Sequence, residues 1–289
     1  MTTDTRSPLR IGRVTLNVHD VARVADFYHT TVGLELLAAD QASATLGAGS
    51  TVLLELHGDP ALPARSPGDA GLFHTAFLLP TRADLSRWIA HARRQGLRLE
   101  GAADHLVSEA VYLSDPEGNG IEIYADRPRS EWRYTNGMVE MANKPLDFDG
   151  LLAGTGDQTW RGLPKESTIG HVHLQVGAIV PAEAFYGGLL GFELTCRYPG
   201  GSFFATGGYH HQLAANIWNS RGAGPRRAPT TGLANVEMVA ADAGVIDTLR
   251  GRVEATHPIE VAADDGLTIY DPWGTCLSLT PDGETLNGP

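Results

Sequence analysis

The chain repeats itself, and the repeat limits what it can fold into more than any other feature. Ile11-Gly12-Arg13-Val14-Thr15-Leu16-Asn17-Val18 returns as Ile169-Gly170-His171-Val172-His173-Leu174-Gln175-Val176, an offset of 158 positions (169 minus 11). At the same offset Phe27-Tyr28 returns as Phe185-Tyr186, and Gly33-Leu34-Glu35-Leu36 as Gly191-Phe192-Glu193-Leu194. Several matches at one constant offset mark a duplication, so one supersecondary unit is built at least twice.

Each copy opens with an alternating strand, Val14, Leu16 and Val18 on one face, and continues into a helix carrying Val21, Val24, Ala25 and Tyr28 on one side. Gly33 and Gly191 stand where a helix C-cap favours positive φ. Strand-like segments follow at Ala42 to Leu46 and Thr51 to Leu56. A second unit completes the half. His74 to Leu79 reads as a strand, Arg82 to Gln95 as a helix and Ala110 to Leu113 as a strand. The turn formers Asp115-Pro116-Glu117-Gly118-Asn119 then lead to a strand at Gly120 to Ala125. Its counterpart runs from Asn235 through a helix near Ala241 to Arg250, then Asp271-Pro272-Trp273-Gly274 and Leu277 to Leu279. The expectation is an α+β fold of four β-α-β-β-β modules, two in residues 9–127 and two in 168–282. The polar, Gly- and Pro-containing stretch 128–167 reads as a linker, with one short helix near Phe148 to Leu152.

At 289 residues there is enough chain for two domains, each with its own core. A net charge of −12 excludes the basic face that a nucleic acid or an anionic membrane surface would need. Two cysteines, Cys196 and Cys276, lack metal-type spacing and make no disulfide framework, so a reducing cytoplasm is expected. Met1 to Arg10 is polar and unlike a signal peptide, and apolar runs fall short of the roughly 18 residues of a membrane helix.

Those residues carry a family resemblance. The Ile-Gly-His-Val-His-Leu-Gln-Val strand, the Ala184-Phe185-Tyr186 helix ending at Gly191-Phe192, and the run from Asp115 to Tyr124 resemble the vicinal oxygen chelate superfamily. That group includes glyoxalase I, bleomycin-resistance proteins and type I extradiol dioxygenases. Ser108 to Pro116, Tyr124-Ala125-Asp126-Arg127-Pro128 and Gly207-Gly208-Tyr209-His210-His211 resemble the bacterial two-domain catechol 2,3-dioxygenases more closely. The resemblance spans both halves. It implies two glyoxalase-like domains with cupped mixed sheets. It also implies Fe(II), with Mn(II) as the alternative, and O2 as co-substrate. The activity implied is opening of a small aromatic diol beside its hydroxyl pair, to a 2-hydroxymuconic-semialdehyde-type product. The rival readings are a glyoxalase-like metal-dependent lyase or isomerase, and a metal-free binding protein of the bleomycin-resistance type.

Non-heme Fe(II) oxygenases hold the ion with two imidazoles and one carboxylate, leaving positions open. In the superfamily these ligands come from the first and last strands of a module. The first strands offer Arg13, His74, His171 and Asn235, and the last strands of the second and fourth modules offer Glu122 and Ser278. A guanidinium cannot ligate a cation, and Asn235 is a poor ligand for this metal. His74, His171 and Glu122 remain. The bland alternatives are packed strand histidines and a Glu on a wet strand face; His173, two residues past His171, competes with it but falls outside the frame.

Extradiol chemistry also needs proton transfer, for which histidine is suited. By the resemblance, one of His210 and His211 is the acid-base residue; His211 is preferred, His210 is the alternative, and the bland reading places both on the surface. Paired residues in a strand would face opposite sides, so one ring at most enters the cup. Tyr112, ten residues before Glu122, resembles the family's tyrosine, whose phenol hydrogen-bonds the diol. His105 resembles its substrate-side histidine, though it lies closer to Tyr112 than the pattern has it.

These ligands fix how the modules must pair. Pairing neighbours within each half would leave His74 and Glu122 in one cup and His171 in the other. Pairing the second module with the third brings all three together and leaves the first and fourth to form a metal-free cup. The 40-residue stretch 128–167 is long enough to allow it. The same set could form between subunits exchanging halves, which keeps a homodimer open.

Overall fold

The computed structural model describes residues 7–153, 159–226, 229–254, 260–261 and 266–282. The polar segment 1–6 and residues 154–158 of the connecting stretch lie outside them. Four β-α-β-β-β modules are present. The first holds strands Leu9–Val18, Glu35–Ala39, Ser43–Ala48 and Thr51–Gly58, and the second Gly71–Leu78, Gly101–Asp104, Ser108–Ser114 and Gly120–Asp126. The third holds Thr168–Gln175, Glu193–Tyr198, Gly201–Ala205 and Leu213–Asn216. The fourth holds Gly232–Ala240, Glu260–Val261, Leu267–Tyr270 and Cys276–Pro281.

The helices follow from their caps and apolar faces. Asp20, Thr81 and Asp242 each accept a hydrogen bond from the backbone N–H three residues on, satisfying a donor that the first turn leaves free. The helix Arg82–Gln95 buries Leu85, Trp88, Ile89 and Ala92 and stops at Gly96, φ +64°. In both repeated copies the first helix ends in a wide turn. Gly33 N donates to Tyr28 O at 2.9 Å and Leu190 N to Phe185 O at 2.9 Å, after which Gly33 (φ +97°) and Gly191 (φ +75°) turn the chain out.

The strands form two eight-stranded mixed sheets, and neither comes from one half of the chain alone. In one, the first strand of module two, Gly71–Leu78, pairs antiparallel with the first strand of module three, Thr168–Gln175. In the other, Leu9–Val18 of module one pairs antiparallel with Gly232–Ala240 of module four. Modules two and three therefore make one cup within a single chain, and modules one and four make the other. One contiguous apolar core, including Leu16, Leu54, Phe77, Trp88, Ile123 and Phe204, fills the space behind both sheets.

The duplicated Phe-Tyr and Asp-Pro motifs meet across modules that are neighbours in sequence but not in a sheet. Tyr186 OH donates to Asp271 Oδ2 at 2.8 Å, and Tyr28 OH reaches Asp115 Oδ2 at 3.5 Å, all four residues buried. Burial, and then the facing aspartate, push both phenols well above their ordinary range, so each is a donor. Each Asp also receives backbone N–H groups of its own tight turn, Asp115 from Glu117 and Asn119, Asp271 from Trp273 and Thr275.

The stretch read as a linker does more than connect. Besides the expected helix, Phe148–Ala153, it contains a small hairpin, Tyr134–Thr135 with Met138–Val139. It then runs along the cup edge, where Lys144 exchanges backbone hydrogen bonds with Asp104. Trp132 and Val139 are buried in a satellite apolar cluster with Tyr209 and Phe203, which is what anchors it.

Candidate metal centre

Strand register assembles the site. Across the sheet His171 pairs with Ala76, Ala76 with Glu122, and Glu122 with Tyr112, giving one row over four strands. Because side chains alternate along a strand, this row shares a face with the neighbouring row, in which His74 pairs with His173. Gly170 is required beside it: a Cβ there would lie 1.7 Å from Tyr124 OH, whose ring packs 5.0 Å from that of His171.

Three donor atoms converge. His74 Nε2 lies 2.9 Å and His171 Nε2 3.2 Å from the same oxygen, Glu122 Oε2, and the two nitrogens are 3.3 Å apart. All three side chains are buried. Donors at right angles on an ion with bonds of about 2.1 Å would lie roughly 3.0 Å apart, and tetrahedral donors roughly 3.4 Å apart. The observed separations of 2.9–3.3 Å match that range, and the donor set of two nitrogens and one carboxylate oxygen suits Fe(II) or Mn(II). Protonation favours binding as well. Burial outweighs the neighbouring carboxylate and brings His171 down to about 4, leaving it neutral. Glu122, though burial alone would raise it, is held well below the usual carboxylate range by the facing imidazoles. His171 Nδ1 is buried without a hydrogen-bond partner among the described residues, and packing against the His211 ring, 4.1 Å away, orients this imidazole in place of an outer hydrogen bond.

The three donors open into a cavity of about 520 Å³, walled in part by Phe73, Phe203 and Trp218, and His105, Tyr112, His173 and His211 line it as well. His105 Nδ1 donates to Ala142 O at 3.0 Å, so its Nε2 accepts from Tyr112 OH at 2.6 Å. Burial, then the nearby Glu122, raise the Tyr112 phenol well above its ordinary range and keep its proton on. His173 makes no ligand contact. Its ring stands among Phe73, His74, Phe203 and Trp218 at 4.9–5.7 Å, and burial beside His74 and His171 holds it neutral.

The histidine pair departs from expectation. His210 and His211 precede the strand Leu213–Asn216 instead of opening it, and their rings stay in hydrogen-bond contact, the two Nδ1 atoms 2.7 Å apart. Gly207 (φ +65°) and Gly208 (φ +69°) curl the chain, so the alternation of extended backbone does not apply. His211 faces the cavity, while His210 lies behind it against Trp132 and Tyr209.

The family model for the Glyoxalase/Bleomycin resistance protein/Dioxygenase superfamily matches residues 10–123. A catechol-2,3-dioxygenase of Bacillus subtilis (strain 168) is 40% identical over 270 residues, covering 91% of this chain and 93% of its own. The chain belongs to this superfamily. Biphenyl-2,3-diol 1,2-dioxygenase 3 of Rhodococcus globerulus is 28% identical over 134 residues, covering 44% of this chain and 70% of its own. Among solved structures, glyoxalase I from Zea mays superposes with a TM-score of 0.58 at 14% identity, covering 96% of this chain and 94% of its own, a likeness of fold. Within the superfamily fold, Asp126 behind the cup, Ala142 at its edge and Phe73 in its aromatic wall are residues that sequence reasoning did not assign. Asp126 had a readable signal, as the last residue of the strand that carries Glu122. Ala142 contributes only a carbonyl, which no side-chain pattern reveals.

Proposed function

We propose that this protein is an extradiol ring-cleaving dioxygenase that opens a catechol or substituted catechol beside its hydroxyl pair, using Fe(II) and O2. The observation that carries the reading is the convergence of two imidazoles and one carboxylate within 3.3 Å on the wall of an aromatic-lined cavity. His74, His171 and Glu122 would hold the ion, with Mn(II) as the alternative. A ferrous ion bound there supplies electron transfer between diol and dioxygen, which no side chain can perform.

The chain's own residues supply the rest. Tyr112 donates to His105, which leaves the phenol oxygen free to accept from a diol hydroxyl, and His105 is anchored for that task by Ala142 O. His211, on the module-three side of the cup, is the acid-base residue. Phe73, Phe203 and Trp218 offer ring faces and edges to an aromatic substrate. Residues 9–127 and 168–282 are the duplicated units, and cytoplasmic residence fits the absence, among the described residues, of any helix long and apolar enough to cross a membrane.

Anaerobic reconstitution with Fe(II), then O2 uptake with a panel of catechols, tests the reading. The expected result is a yellow ring-opened semialdehyde formed with O2 consumption. Turnover of methylglyoxal with glutathione, with catechols inert, would favour the lyase instead. That chemistry calls for a fourth protein ligand, typically a second carboxylate. The described metal-ligating group has three members, and no Asp or Glu occurs from Ser202 to Ser220. A protein that binds no metal would leave the bleomycin-resistance type.

A further inference from the structure

Behind the cup runs a line of hydrogen bonds that the ligand set does not use. His211 Nδ1 meets His210 Nδ1 at 2.7 Å, and His210 Nε2 meets Asp126 Oδ1 at 2.9 Å. Tyr209 OH donates to the other carboxylate oxygen, Asp126 Oδ2, at 2.9 Å, and contacts Tyr124 OH at 2.9 Å. The His210 side chain is 0% exposed and is clamped in place, its ring 4.0 Å from that of Tyr209 and 5.2 Å from that of Trp132. Asp126 sits at the outer end of the line with 18% of its side chain exposed.

Donors and acceptors along this line have a single arrangement when both imidazoles are neutral. A carboxylate only accepts, so His210 Nε2 carries the hydrogen it gives to Asp126. The other nitrogen of His210 is then bare and accepts. Its donor is His211 Nδ1, which therefore carries the one ring hydrogen of His211. Nε2 of His211 is left bare, with no hydrogen bond to the described residues, on a ring that lines the cavity.

We propose that Asp126 and His210 are positioning residues that lock His211 in its Nδ1–H tautomer and so present a bare Nε2 to the diol. In the proton step a diol O–H bond breaks and a His211 Nε2–H bond forms. No electrons are exchanged. The positive charge gained by the His211 ring is stabilised through Nδ1–H to His210 and, one hydrogen bond further, by the Asp126 carboxylate. The logic is that of a carboxylate orienting a catalytic imidazole, with a second imidazole inserted between them. The proposal rests on the reading of His211 as the acid-base residue and extends it to two residues that never touch substrate.

The test reads tautomers directly. The full chain, 15N-labelled at histidine, is examined by long-range 1H–15N correlation, which separates bare from protonated ring nitrogens; a His211→Gln sample assigns the signals. His211 should show a protonated Nδ1 and a bare Nε2. In Asp126→Asn the amide can donate to His210 Nε2 and reverse the line. Nε2-protonated His211 should then appear, and kcat should fall about 10- to 100-fold with KM and bound metal unchanged, the scale of lost outer-shell partners. A wild-type His211 protonated at Nε2 would overturn the proposal. So would an Asp126→Asn protein with the wild-type tautomer and kcat. Should that variant not fold, the wild-type spectrum alone decides. Absence of catechol turnover in a protein with the expected spectrum would instead overturn the ring-cleaving reading and leave the lock standing.

Discussion

Removing metal from this protein should make its stability steeply sensitive to mild acid, and His171 sets the size of the effect. In the unfolded chain this imidazole titrates near 6.5; in the fold, burial brings it down to about 4. Between those values the unfolded chain binds a proton that the folded one refuses, so acid favours unfolding. The stabilising contribution is complete above about pH 6.5 and is lost as the pH falls towards 4. At pH 5 the unfolded imidazole is protonated over its neutral form by roughly 30 to 1 and the folded one by roughly 1 to 10, which amounts to about 2 kcal/mol from this residue alone. His173 and His211, also held low by burial, act in the same direction. Urea denaturation of chelator-treated protein at pH 7 and pH 5 measures the total. The same pair of measurements on His171→Leu, which keeps the other two imidazoles, isolates the share of His171. Wild type should lose about 2 kcal/mol more than the variant between the two pH values. Equal losses would mean that the folded imidazole titrates normally, and the account of His171 as a dry, neutral ligand would be wrong.

His74→Ala, His171→Ala and Glu122→Ala should each bind far less metal, by elemental analysis, while near-UV circular dichroism stays native; full occupancy in any one removes that residue from the ligand set. Tyr112→Phe should keep its metal and slow catechol turnover about 10- to 100-fold, since only the hydroxyl bonded to His105 is lost; unchanged kcat would make Tyr112 a packing residue. Tyr186→Phe should cost about 1–3 kcal/mol in urea denaturation by stripping Asp271 of a buried donor. Tyr28→Phe should cost less, because its contact with Asp115 is 3.5 Å long, and the reverse order would contradict the reading of these contacts.

What could be read from the residues alone was what repeats and what alternates. The offset of 158 exposes the duplication because helix faces and strand faces recur with it, and Val14, Leu16 and Val18 are all buried as their alternation requires. The pairing of module two with module three is another matter. No strand pattern encodes it, since all four first strands are apolar on the inward face; it followed from chemistry, because three isolated donors made sense only together. The stretch 128–167 reads as a linker because its composition is polar; its packing falls to a few residues, Trp132 and Val139 above all, which no pattern singles out. The two-histidine geometry was not legible either. Strand alternation predicts opposed rings, and it takes the positive φ of Gly207 and Gly208 to bring both Nδ1 atoms to 2.7 Å.

The second cup shows why a duplicated fold keeps one centre. Arg13 occupies the repeat position of His171, and its guanidinium forms ion pairs with Glu55 and Glu237, each at 2.7 Å. Thr15 donates to the same Glu55, and Asn235, at the frame position of His74, donates to Ser278 at 2.8 Å. Where the first cup gathers two imidazoles and a carboxylate on one face, this cup carries a cation on a side chain. A tethered guanidinium answers both carboxylates without any bound ion. A divalent ion placed there would face a like charge at close range, worth about 4 kcal/mol for each unit charge at 4 Å in a protein-like dielectric. The same duplicated scaffold thus supports either arrangement, and the residue at one strand position separates them. Imidazole at that position leaves room for a metal, and guanidinium takes the metal's place in holding the two sheet halves together.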